Sequence, residues 1–193
     1  METCWDLPKG YRQTDYINLR RDGKRRRWLN LISGLIGAAM VALGWGLERF
    51  HALSRLLKSG FGDYYLWLAL LLCAMLLYLT LHELTHGLFL RIYTGQARYA
   101  RKGLTLFAGS EAYLSRRDFL LSLLAPVALW GLLLGVLCCF ASGIWFWLVY
   151  GLEIVNLGSS VGDLYLAARA WKLPKTALYQ NFGVSVYVYT EEV

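Results

Sequence analysis

Charge is scarce in this chain of 193 residues: Asp, Glu, Lys and Arg make up 17% of it, against roughly a quarter in ordinary soluble domains. Beside 57% hydrophobic residues, that scarcity argues against a soluble globular domain. Histidine occurs only three times and cysteine four times, with no C-x-x-C pair. Cys73, Cys138 and Cys139 lie in apolar segments and Cys4 near the N-terminus. Adjacent cysteines seldom bridge each other, so no disulfide framework is expected and the four read as packing residues. The first 28 residues have no apolar core, so no cleavable signal peptide is expected and the first apolar helix serves as its own insertion signal. Internal repeats and low-complexity tracts are also lacking.

What the chain has instead is four long apolar runs, at about 29–47, 64–93, 119–140 and 144–168. Each is long enough to span a hydrocarbon core of about 30 Å. The expected fold class is therefore mainly α, a polytopic membrane protein with four transmembrane helices. Basic residues set the orientation. Residues 1–28 carry eight Lys and Arg, the 91–118 connection six and the tail after 168 three, against three in the 48–63 connection. By the positive-inside rule both termini lie in the cytoplasm of a multi-pass cell-membrane protein. The net charge of +7 does not point to nucleic acid, because Lys24-Arg25-Arg26-Arg27 ends where the first apolar run begins. Such a cluster marks topology and attracts anionic lipid. The second run would extend about 45 Å as a helix, so it tilts or projects beyond the bilayer. Pro126 is expected to kink or loosen the third, and Trp67, Trp145 and Trp147 suit the outer interface as anchors.

The polar pieces read as a small cytoplasmic β element. Asp15–Leu19, Tyr99–Phe107 and Val184–Tyr189 are rich in β-branched and aromatic residues. Gly109-Ser110 is the expected turn, with Glu111–Leu114 returning. His51–Lys58 reads as an interfacial amphipathic helix. One membrane-embedded domain is expected over 1–193. Residues 1–28 form its basic cytoplasmic segment, 64–168 its core and 169–193 a cytoplasmic tail.

Within the second run, His82-Glu83-Leu84-Thr85-His86 spells H-E-x-x-H. Four residues is about one helical turn, so the two histidines share a face and can hold one metal ion, usually Zn2+. Glu83 is placed to take a proton from an activated water. An ionised side chain at mid-bilayer costs roughly 2.5–3.5 kcal/mol on the mildest scales, so three ionisable groups in five residues call for a partner. A metal supplies one. A catalytic zinc usually has three protein ligands, and His51 falls on the outer side as a surface residue. Glu153 and Asp163 of the fourth run are the acidic candidates. Asp63 to Glu83 and Gly143 to Asp163 are each twenty residues, and both helices run inward, so Glu83 and Asp163 reach similar depth. Glu153 lies about 15 Å higher at helical rise, which suits a structural or proton-relay role. The small-residue stretch Gly158–Gly162 permits close helix packing or a local unwinding. Asp163 is then a metal ligand or, alternatively, a carboxylate snorkelling at the helix end. Asn156 is either a group that positions substrate backbone or interhelical glue.

With these residues in hand, the chain resembles the site-2 protease class of intramembrane zinc metalloproteases. It is still more similar to small bacterial membrane proteins classed as zincin peptidases of unknown function. The resemblance covers roughly residues 64–168. His82, Glu83 and His86 match the class's first motif residue by residue. Asp163 stands in N-L-G-S-S-V-G-D, where the site-2 class has N-x-x-P and L-D-G. The resemblance implies a zinc metalloprotease acting on membrane or membrane-proximal proteins, with metal ligands His82, His86 and Asp163 and Glu83 as the general base. It also implies strands after the motif helix, at whose edge an extended substrate can add. Two rivals stand beside it. Membrane quality-control proteases take a glutamate ligand from E-x-x-x-D/N, which Glu153 lacks because Leu157 follows it. A non-proteolytic metal-binding accessory or scaffold has no need of Glu83.

Overall fold

The computed structural model describes residues 2–46, 61–103 and 105–192; the helix expected at His51–Lys58 lies outside them. In chain order the elements are β1 (Tyr11–Asn18), α1 (Gly23–Gly46), α2 (Phe61–Thr94), β2 (Arg98–Lys102), β3 (Thr105–Ser115), α3 (Arg116–Phe140), α4 (Gly143–Ser159), α5 (Val161–Trp171), β4 (Leu178–Asn181) and β5 (Ser185–Glu191). The chain is thus mainly helical with a small antiparallel sheet. α1, α2 and α3 are long and apolar enough to cross a membrane, and α4 with α5 makes a fourth candidate when counted together. Leu66 and Leu132 leave 73% and 72% of their surface exposed.

Helix starts follow local chemistry. Asp22 Oδ1 accepts the N–H groups of Lys24 and Arg25 at 3.1 and 3.0 Å, capping α1. The bond from Arg25 N–H, first among several, holds the Asp22 carboxyl below its usual range. Ser115 caps α3: Asp118 N–H donates to Ser115 Oγ at 3.1 Å, and that hydroxyl donates to Asp118 Oδ2 at 2.8 Å.

The chain divides into two compact units. One comprises Met1–Leu29, Glu83–Pro126 and Gly162–Val193 and contains the whole sheet, in the order β1-β5-β4-β3-β2, with every pairing antiparallel. Alternation in β5 buries Val186 and Val188 and turns Tyr187 and Tyr189 to the other face. The buried face packs on Leu90 of α2, Phe119 and Leu123 of α3, and Leu166 and Ala170 of α5. Phe119 stacks on Tyr179 with ring centroids 4.4 Å apart, and burial pushes the Tyr179 hydroxyl up to about 12. The other unit, Asn30–His82 with Val127–Val161, centres on Phe146, Trp147 and Tyr150 packed with Met40, Trp67 and Ile154. Tyr150 donates its hydroxyl to the Met40 carbonyl at 2.6 Å.

The turn expected at Gly109-Ser110 is corrected, one strand is additional to those expected, and the fourth run takes the unwound alternative. The β2–β3 reversal is at Gly103, where φ is 64° and Lys102 pairs with Thr105, not at Gly109-Ser110. Gly109 serves close approach instead: a Cβ there would lie 2.9 Å from the Asn181 carbonyl oxygen and 3.0 Å from Phe182 Cα. β4, a buried inner strand of four residues, is too short to show a period. Finally, the run 144–168 is broken at Ser160. Its N–H and hydroxyl both donate to the Asn156 carbonyl, at 3.2 and 2.7 Å, so α4 closes there and Asp163 falls in the first turn of α5.

Gly109→Ala is expected to destabilise the protein by about 1–3 kcal/mol, since backbone rather than a side chain must move. Gly135→Ala meets nothing within 4 Å and is expected to be near neutral. Thermal unfolding of both variants in detergent checks the contrast.

Candidate metal centre

α2 runs unbroken through the motif, so His82 and His86 stand one turn apart on one face, only 4% and 7% exposed. Each imidazole is oriented through Nδ1. His86 Nδ1 lies 2.8 Å from the Ser122 carbonyl. A carbonyl only accepts, so the network puts the proton on Nδ1 and a lone pair on Nε2. That carbonyl is available for a reason visible in the sequence: Pro126, four residues on within α3, has no N–H to return to it. His82 Nδ1 lies 3.2 Å from the Tyr78 hydroxyl. Tyr78 donates its own proton to Asn156 Oδ1 at 2.6 Å, so it receives the one from His82. Asn156 Nδ2 in turn donates to Glu153 Oε2 at 3.2 Å and to the Val127 carbonyl at 3.4 Å, which fixes the amide's orientation.

His86 Nε2 lies 3.4 Å from Asp163 Oδ2, and the donor atoms of His82, His86 and Asp163 all fall within 4.8 Å of one another. Tetrahedral zinc ligands at about 2.0–2.1 Å from the ion stand about 3.4 Å apart. The His86–Asp163 spacing already meets that value, and no pair of donors is farther apart than 4.8 Å. Two imidazoles with pinned Nδ1 protons and one carboxylate form a donor set suited to Zn2+. Among the described residues this is the one such group, and it does not include Glu153.

Glu83 points into a cavity of about 30 Å3 walled also by His86, Asp163, Ala108 and Gly183, room for a water molecule. Its Oε2 accepts the Ala108 N–H at 3.3 Å. The strand pairing explains why that donor is available to it. Residues 105–109 of β3 pair with β2, whereas β4 begins its pairing only at Ser110, leaving the β3 edge at Ala108 turned to the carboxylate.

The geometry thus gathers His82, Glu83, His86 and Asp163, and leaves Asn156 apart, wholly buried with its amide engaged by Tyr78, Glu153 and Val127. Sequence reasoning overlooked Tyr78, Ser122 and Ala108. Tyr78 had a signal, standing four residues before His82 as His82 stands before His86. Pro126 flagged the Ser122 carbonyl. Ala108 contributes only backbone and had none. Tyr78→Phe and Pro126→Ala each loosen one histidine, and the first is expected to weaken zinc affinity about 10–100-fold. Chelator competition on purified protein measures both.

Residues 75–178 match the model of a family described as "Putative zincin peptidase", a stretch that includes His82, Glu83, His86 and Asp163. No curated protein and no solved structure matches the chain.

Proposed function

The chain belongs to the family described as "Putative zincin peptidase", and on that premise we propose that it is a membrane-embedded zinc metalloprotease of the site-2 type. Its substrates are proteins or peptides in or beside the bilayer. The single observation that carries the proposal is the convergence of His82, His86 and Asp163 beside a carboxylate, Glu83, that faces a water-sized cavity.

His82 and His86 would hold the ion through their Nε2 lone pairs and Asp163 through its carboxylate. Zinc bound there would supply Lewis acidity to the reaction. Glu83 Oε2 is steadied by the Ala108 N–H. Its carboxylate takes the proton from the attacking water and passes it to the amide nitrogen as the C–N bond breaks, ending ionised again. The stretch of β3 at Ala108, which β4 leaves unpaired, suits an extended substrate segment added as a strand once the packing over it opens. A helical substrate would have to unwind first, because its carbonyls are engaged by its own hydrogen bonds.

The basic residues at 1–28, 91–118 and after 168 support a multi-pass protein with both termini cytoplasmic, residues 64–168 as the catalytic core, and anionic lipid against Lys24–Arg27. The test is comparative membrane proteomics of cells carrying the wild type or Glu83→Gln. A membrane protein that accumulates full length in the variant is the expected finding. Identical proteomes under conditions of expression would sink the proteolytic reading.

A further inference from the structure

A second cleft, of about 680 Å3, shares lining with the cavity at Glu83, and both lie within one compact unit. Four arginines line it: Arg20, Arg21, Arg26 and Arg101. The ring of Phe107 walls both this cleft and the small cavity at Glu83. The β4–β5 turn is shared in the same way, with Phe182 and Val184 on the cleft and Gly183 on the catalytic side.

The charge is uncompensated. Nearby arginines have acidic partners: Arg25 pairs with Asp22, Arg98 with Glu111 and Arg169 with Asp15. Among the described residues none of the four cleft arginines has one. Arg20 lies over the Phe107 ring at 4.4 Å from its centroid, and Arg101 Nε donates to the Gly103 carbonyl at 2.8 Å. A ring face and a carbonyl orient these guanidinium groups without neutralising them. Four like charges around one cleft repel one another, and an anion entering it relieves that repulsion.

Resting on the proteolytic reading above, we propose that this cleft is a substrate subsite for an acidic segment flanking the scissile bond. The planar guanidinium fork matches a carboxylate with two parallel hydrogen bonds. The position favours peptide over lipid, because the cleft lies directly across Phe107 and the 182–184 turn from the catalytic cavity. A chain crossing Glu83 leaves over that shared wall, whereas a lipid headgroup gains nothing from it.

The experiment uses full-length Glu83→Gln protein in nanodiscs of phosphatidylcholine, with a second set containing phosphatidylglycerol, and two fluorescent peptides identical except that one carries glutamates where the other carries glutamines. The glutamate peptide is expected to bind about tenfold more tightly at low salt, with the advantage falling as salt rises. Arg20→Ala combined with Arg101→Ala should erase the advantage and leave the glutamine peptide unaffected. With active protein the same pair should raise KM for the glutamate peptide at unchanged kcat. Equal binding of the two peptides overturns the proposal. So does an advantage that survives the arginine changes, or an arginine effect seen only as lost retention of phosphatidylglycerol, which would assign the cleft to lipid. Arginine-dependent binding in a protein that cuts neither peptide upholds the acidic-segment cleft and defeats the proteolytic reading alone.

Discussion

Glu83→Gln is expected to lower peptide hydrolysis by about 10²–10⁴-fold, the usual worth of a positioned general base, while zinc content stays at the wild-type level. The two halves follow from different atoms. The donor set is His82, His86 and Asp163, and the substitution touches none of them. Glutamine keeps the length of glutamate, and its amide oxygen can still accept the Ala108 N–H that Glu83 Oε2 accepts now. Only the capacity to take a proton is lost. Metal analysis and rate measurement on one preparation therefore separate a base from a ligand. A protein that merely stored metal or kept the fold as a scaffold would show no change in either quantity. A loss of zinc together with activity would instead make Glu83 part of the coordination set.

The motif was legible in the sequence because helical spacing is rigid: four residues on one helix fix the relation of His82 to His86 whatever surrounds them. Asp163 was reachable by counting from the outer ends of two helices, since rise per residue converts number into depth. The sheet was legible only in outline. β5 declares itself through Val and Tyr alternating at period two. β4, pressed between β3 and β5, has three buried residues among four and so no period to read. The misplaced turn has a different origin. Glycine is used both for a left-handed backbone and for close approach, and the letters do not say which. Gly103 has the positive φ; Gly109 has the crowded backbone. The break at Ser160 was ambiguous in the same sense, because Gly158–Gly162 suits tight packing as well as unwinding. The supports of the histidines were least legible. They depend on a backbone carbonyl freed by a proline and on a hydroxyl whose proton is committed elsewhere, and neither is a property of one residue alone.

Asp163→Ala is expected to strip most of the zinc from purified protein, with an affinity loss beyond the roughly 10–100-fold that follows removal of a mere orienting partner. A catalytic zinc site rests on three protein ligands, and two imidazoles one turn apart leave the ion without the negatively charged donor that a set of two histidines and one carboxylate provides. The rival account is structural. Asp163 sits in the first turn of α5, where a carboxylate favours the positive end of the helix by about 0.3–1 kcal/mol, so its loss could act through α5. Asp163→Asn tests that account, because asparagine keeps the size and a polar oxygen but gives up the charge. If Asp163 is a ligand, both variants lose metal, and Glu153→Gln, which removes a carboxylate outside the donor set, retains it. Unfolding temperature then distinguishes the causes: added zinc should raise it in the wild type and in Glu153→Gln, but not in either Asp163 variant. A full complement of zinc in Asp163→Ala would remove this residue from the site and send the search for the third ligand elsewhere.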